Sequence, residues 1–172
     1  SFVMSKLPRR RGVCGIAGAA MTVRASKSTN RSPTPLIREV LNDALSEAGR
    51  EGGDIDGFVC VPSLCDLRFL EAHYQATALG LFEKNRHLLC RTVDTCGASP
   101  VTSLLEASRM IECEGLETVA VVAGDCVGSL RGRDFLAKAD RTAEGGYLQS
   151  PAIVNGCERY AEYELETRRK VT

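Results

Sequence analysis

The chain has 172 residues, 44% of them hydrophobic, enough to bury one core and most simply read as one folded domain. Its 22 basic and 22 acidic residues cancel to a formal charge of zero, which argues against nucleic acid as the main partner. No apolar run approaches membrane-spanning length, so no membrane span is expected.

Residues 1–11 read as a basic N-terminal segment. Lys6, Arg9, Arg10, Arg11, Arg24, Lys27 and Arg31 all precede the first acidic residue, Glu39, a composition similar to a mitochondrial transit segment. Residues 12–20 nevertheless form a small-residue apolar run, read as a buried first strand that cleavage would have to spare. Its glycines at 12, 15 and 18 do not fit the dinucleotide-binding fingerprint. Residues 21–31 are a polar, basic loop. Thr34 as N-cap and Pro35 at the first helical position then start a helix. Ile37, Val40, Leu41, Ala44, Leu45 and Ala48 form its apolar face, and Gly49 with Gly52-Gly53 ends it. Residues 57–61 are a second buried strand, closed by Pro62.

The spacing predicts a second helix over 67–81, with Phe69, Leu70, His73, Ala76, Thr77 and Leu81 as packing positions. His73 reads as a structural histidine on that helix, and His87 as an exposed residue at a strand entry. Residues 87–93 are short, apolar and β-branched, the third strand.

The chain is organised around the segment from Cys90 to Glu114. Gly97 permits a tight turn, and Pro100 fits only the first turn of a helix, where its missing N–H costs nothing. Val101, Leu104, Leu105, Ser108, Ile111 and Glu112 keep helical spacing to residue 114. Cys96 therefore sits where a strand gives way to a helix N-terminus. Unpaired backbone N–H groups and the helix dipole at such a place favour a thiolate, one of the standard settings of a nucleophilic cysteine. A water-poor crevice is expected around it. Residues 116–126 form a fourth strand running into Gly124-Asp125. Alternation of strands and helices implies an α/β fold with a mostly parallel sheet and helices on both faces. Sites in such sheets lie at the carboxyl ends of strands, where both Cys96 and Asp125 fall.

Beyond residue 126 the pattern weakens. Arg131, Arg133 and Asp134 lie in a charged loop, residues 135–139 suit a short helix, and residues 155–169 a longer one. The cysteines at 14, 60, 65, 90, 96, 113, 126 and 157 show no C-x-x-C spacing, so no metal site is expected. Reduced thiols in an intracellular protein are the expectation.

Four segments, in this order, resemble the N-terminal half of a thiolase: Gly15-Ile-Ala-Gly-Ala; the first helix with Asp54-Ile-Asp-Gly-Phe-Val; Asp94-Thr-Cys96-Gly-Ala-Ser; and Val119-Ala-Val-Val-Ala-Gly-Asp125. Val61-Pro and Phe69-Leu-Glu-Ala-His-Tyr-Gln-Ala-Thr-Ala-Leu-Gly-Leu are most similar to the branch near the sterol-carrier-protein thiolases. The resemblance covers residues 12–126 as a thiolase-like α/β domain, incomplete relative to the family, and more loosely residues 127–172 as the start of a loop domain. It implies that Cys96 accepts the acyl group of a 3-ketoacyl-CoA of the acetoacetyl-CoA type and passes it to CoA. Coenzyme A is then a substrate, with no covalently bound cofactor. Arg131, Arg133 and Lys138 are the candidate phosphate contacts. The strand at 87–93 would pair with its counterpart in a homodimer. A mitochondrial, cytoplasmic or peroxisomal location would be in keeping with such a protein.

The resemblance has two departures. Thiolases usually follow the nucleophile with a small residue, Ser or Thr, then Gly; here Gly97-Ala-Ser-Pro100 stands instead. The family's second half, with its histidine, second cysteine and much of the oxyanion hole, is not among these residues, so Cys96 alone is expected to reach the acylated state. Without that half, Ala107, Met110 and Cys113 on the helix after Cys96 are expected to lie open. A non-catalytic thiolase-like CoA-binding or partner-binding protein is the alternative, and a generic nucleotide-binding α/β domain a third.

Overall fold

A computed structural model of the chain describes residues 1–6, 14–22 and 32–134. Internal contacts divide the chain into two units, Ser1–Cys126 and Val127–Thr172. The first holds a five-stranded sheet. Of the second, only residues 127–134 are described, beginning with a 3-10 turn at Val127–Ser129. The helices expected at 135–139 and 155–169 lie outside the described residues.

The elements of the first unit are β1 (Phe2–Lys6), β2 (Cys14–Ala19), α1 (Pro33–Ala48), β3 (Gly57–Val61), α2 (Glu71–Ala78), α3 (Leu81–Lys84), β4 (Leu89–Thr92), α4 (Ser99–Glu114) and β5 (Thr118–Ala123). The sheet order is β2-β1-β5-β3-β4. β3 pairs in parallel with both β4 and β5. Helices intervene between β3 and β4 and between β4 and β5, which returns the chain to the same end each time and makes these strands parallel. β1 is antiparallel to both β5 and β2, so the sheet as a whole is mixed. The strand expected over 12–20 is thus the edge strand β2, with Ile16 and Ala17 exposed. Phe2–Lys6, read from sequence as part of a basic lead-in, fills the position between β2 and β5.

Period-two alternation on the inner strands builds two cores. Val3, Phe58, Cys60, Ala120 and Val122 face α1, α2 and α3, which supply Ile37, Leu41, Ala44, Ala72, Ala76 and Leu81. Met4, Val59, Val119 and Val121 face α4, which supplies Ala107, Met110 and Ile111. Helices therefore cover both faces. α1 approaches β2 at backbone distance: a Cβ built on Gly18 would lie 2.1 Å from the Ala44 carbonyl oxygen. Only glycine fits there, which gives the small-residue pattern of this strand its physical meaning.

Three local readings shift. α1 starts earlier than expected, with Ser32 at its N-cap and Pro33 as its first helical residue; Gly49 ends it in the left-handed region, φ +62°. The single helix over 67–81 is two helices, parted by Gly80 at φ +73°. α2 turns Glu71, Ala72, Gln75 and Ala76 inward, while Phe69 is 93% exposed and Leu70, His73 and Thr77 also face out. The alanines let the helix lie close to β3. Glu71 and Gln75 tolerate burial partly by bonding each other, Gln75 Nε2 donating to Glu71 Oε1 at 2.7 Å. α4 is rotated from its expected phase. Ser103, Ala107, Met110 and Ile111 face the sheet, whereas Val101 and Leu105 are 64% and 57% exposed. Ala107 and Met110, expected to lie open, are fully buried; Cys113 is exposed. Small residues at 99, 103 and 107 allow close approach, and Met110 fills the space that Gly57 leaves, where a Cβ would come within 2.8 Å of its Cε.

Candidate active site

β4 ends at Thr92, and the chain reaches α4 through a 3-10 turn at Cys96–Ala98. The residue in the left-handed region is Cys96 itself, at φ +53°; Gly97, the expected turn residue, is not. A non-glycine side chain held there carries strain of about 1–3 kcal/mol, and such strain clusters at functional positions. Hydroxyls and a carboxylate around the turn hold the backbone. The Cys96 N–H donates to Asp94 Oδ1 at 3.2 Å, and the Thr95 N–H donates to Ser99 Oγ at 2.9 Å. The Thr95 and Thr102 hydroxyls share a 2.6 Å hydrogen bond, and Thr102 also donates to the Ala98 carbonyl at 3.1 Å. Arg91 on β4 pairs with both Glu106 and Glu114 on α4, tying strand to helix behind the turn.

Cys96 is exposed, and no hydrogen bond to its sulfur exists among the described residues. His73 stacks on Phe82 with centroids 6.3 Å apart, and His87 is exposed with its N–H donating to Asn85. Neither histidine is bonded to Cys96 among the described residues. Arg131 and Arg133 are exposed residues of the second unit; Lys138 lies outside the described residues.

Because β3, β4 and β5 are parallel, the segments that follow them emerge at one end of the sheet. The Cys96 turn follows β4, Ser63–Asp66 follows β3, and Asp125 follows β5. Asp125 gathers that end together. Its Oδ1 accepts from the Ser63 hydroxyl at 3.0 Å, the Cys65 N–H at 3.2 Å and the Cys126 N–H at 2.8 Å. Its Oδ2 accepts from the Leu64 N–H at 2.8 Å. Burial alone would push the carboxyl up, but the bonds from Cys65, Leu64, Ser63 and Cys126 outweigh it and hold the group below the usual carboxylate range. Sequence reasoning placed Asp125 at this end of the sheet. It missed Ser63 and the 62–66 loop as partners, because contacts across sixty residues leave no local pattern.

Four other thiols are less exposed than Cys96. Burial pushes Cys60 well up, helped by the Glu71 charge, and pushes Cys90 up to about 11. Burial, then the bond to Asp125, pushes Cys65 up to about 11; burial, then the charges of Asp125 and Asp66, pushes Cys126 up. These four thiols are protonated at neutral pH and are poor nucleophiles.

No protein-family model and no curated protein sequence matches the chain. Among solved structures, the fold is similar to the crystal structure of 3-oxoacyl-[acyl-carrier-protein] synthase III from Aquifex aeolicus VF5. The TM-score is 0.50 at 14% sequence identity, over 63% of this chain and 36% of that one. The chain thus spans little more than a third of the length of that structure. A likeness at this identity is one of fold, and the fold is thiolase-like: a mixed α/β sheet of five strands with helices on both faces.

Proposed function

We propose that the chain belongs to an acyl-transferring protein in which the Cys96 sulfur accepts an acyl group from a thioester-linked substrate. The observation that carries this reading is Cys96 itself: exposed, held at φ +53°, between a parallel strand and a helix. A nucleophile set on a strained strand-to-helix turn presents its side chain to a substrate while neighbouring backbone stays clear. The thioester chemistry suits sulfur, because the acyl-enzyme is itself a thioester and exchange between sulfurs is nearly isoenergetic.

In the specific form of this reading the substrate is a 3-ketoacyl-CoA of the acetoacetyl type. The Cys96 sulfur attacks the 3-keto carbon, a C–S bond forms and the C2–C3 bond breaks. Its electron pair leaves on C2 of the departing acetyl-CoA, which then takes a proton. CoA sulfur attacks the acyl-Cys96 thioester in the return step and restores the thiol. Both steps call for a proton-moving group and for donors to the developing oxyanion. We assign these to polypeptide other than the described residues, and place the CoA phosphate contacts at Arg131, Arg133 and Lys138. Two further parts of the proposal are a homodimer joined through the strand at 87–93, whose β4 is an edge strand among the described residues, and kinship with the sterol-carrier-protein thiolases, the latter resting on the segment at 61–81.

Incubation with acetoacetyl-CoA followed by intact mass and peptide mapping tests the reading. Acetyl on Cys96, absent from Cys96→Ala, is the expected result. One observation favours a second reading, a thioester- or CoA-binding protein without turnover: among the described residues no base is hydrogen-bonded to the Cys96 sulfur, and the Asp94 carboxylate bonds the backbone N–H instead. Saturable CoA binding with no covalent adduct under any condition would establish that second reading instead.

A further inference from the structure

Two cysteines outside the Cys96 turn meet at Asp125 through their backbone amides. The amides of Cys65 and Cys126 both donate to the same oxygen, Asp125 Oδ1, at 3.2 and 2.8 Å. Their nitrogens are therefore at most about 6 Å apart, within the range that lets two Cα atoms take the roughly 4.4–6.8 Å separation of a disulfide. The Cys65 sulfur also lies against the backbone of Cys126: it accepts the Cys126 N–H, and its thiol bonds the Asp125 carboxylate. Both residues are partly exposed, so a small oxidant reaches them. Their sequence separation is long, and the loop such a bond closes runs from the end of β3 to the end of β5.

We infer that Cys65 and Cys126 form an oxidation site, a latent disulfide that fastens the loop after β3 to the end of β5. The inference is independent of the acyl-transfer reading and of Cys96. The oxidant is a low-molecular-weight disulfide. One thiolate attacks it, forming a mixed disulfide and releasing one small thiol. The second cysteine, deprotonated, attacks the protein sulfur of that mixed bond and releases the other small thiol. The two cysteines lose two electrons and two protons, and the oxidant becomes two thiols. Burial first, and then the Asp125 charge, oppose thiolate formation at both cysteines, with the bond to Asp125 adding to this at Cys65, so closure is slow at neutral pH and quickens as pH rises.

The test uses the reduced full chain and oxidised glutathione. Expected is a mass loss of two hydrogens and, on non-reducing peptide mapping, a Cys65–Cys126 cross-link. Thermal unfolding of the oxidised chain shifts upward and returns with dithiothreitol. The rate rises about tenfold per pH unit between pH 7 and 9, as thiolate-limited exchange does. Asp125→Asn speeds cross-linking at pH 7 by tenfold or more, provided far-UV circular dichroism shows the variant folded. Persistent glutathione adducts on Cys65 or Cys126 without a cross-link, or a cross-link mapped to Cys60–Cys90 instead, would overturn the proposal. The mapping on the unaltered chain decides the matter even if Cys65→Ser or Cys126→Ser fails to fold.

Discussion

At the end of β5, the Asp125 carboxylate gathers donors from Ser63, Leu64, Cys65 and Cys126. At the end of β4, on the far side of β3 in the sheet order, the Cys96 sulfur has no hydrogen bond among the described residues and stands in solvent. Both loops finish parallel strands of one sheet. The first saturates its polar groups and holds its thiols protonated. The second puts its satisfied groups into the backbone around the cysteine and leaves the sulfur uncommitted. The difference teaches where rigidity is placed: a reactive side chain needs a fixed backbone beneath it and nothing bonded to its reacting atom.

The largest expected effect comes from breaking the saturated loop. Asp125→Ala leaves one hydroxyl and three amide donors without their acceptor. Water replaces part of this at a half-exposed site, so the expected loss is about 2 kcal/mol in urea unfolding. The pH dependence comes from the same group. Its folded-state pKa is depressed, so its stabilisation is fully present above the unfolded-state value of about 3.9 and is lost as pH falls through the lower folded value. Acid unfolding below about pH 4 should therefore be steeper in the natural chain than in Asp125→Asn. Equal acid slopes would show that the carboxylate bonds contribute nothing.

A second, smaller effect sharpens the contrast at Cys96. If the left-handed φ is strained, Cys96→Gly should be more stable than Cys96→Ala by about 1 kcal/mol, although glycine normally destabilises. Neither variant should form an acyl adduct. A glycine variant no more stable than the alanine variant would remove the argument from strain.

Smaller again is the tie behind the turn. Arg91→Ala loses its pairing with Glu106 and Glu114, but at a partly exposed site such pairs are worth about 0.5–1 kcal/mol. Its effect on unfolding should shrink further at 1 M salt. Ser99→Ala, which removes the buried acceptor of the Thr95 N–H, should cost about 1 kcal/mol and be insensitive to salt.

Several features were legible because they are local. The strand at 57–61, the glycine that ends α1 and the Cys96 position between a strand and a helix all come from short-range pattern, turn chemistry and the placement of proline. So did the resemblance that led to a thiolase-like fold. Helix phase was less legible. Phe69 and Leu70, just before α2, point outward, and on α2 a Glu–Gln pair points inward beside Ala72 and Ala76, because alanine is what the close approach to the sheet admits. The same reason turned α4, where Ser103 and Ala107 outrank Val101 and Leu105 for the inner face.

From residues alone came the alternation of strands and helices, the parallel run it implies and the cysteine at its carboxyl end, since each depends on neighbours a few positions apart. The tertiary structure alone decided that Phe2–Lys6 enters the sheet antiparallel, that Cys96 rather than Gly97 takes the left-handed backbone, and that Asp125 binds the loop after β3. The first and third depend on groups far apart in the chain meeting in space, where the geometry of the sheet, not the propensity of a segment, selects the outcome; the second goes with the side-chain bonds from Asp94 and Ser99 that hold the turn.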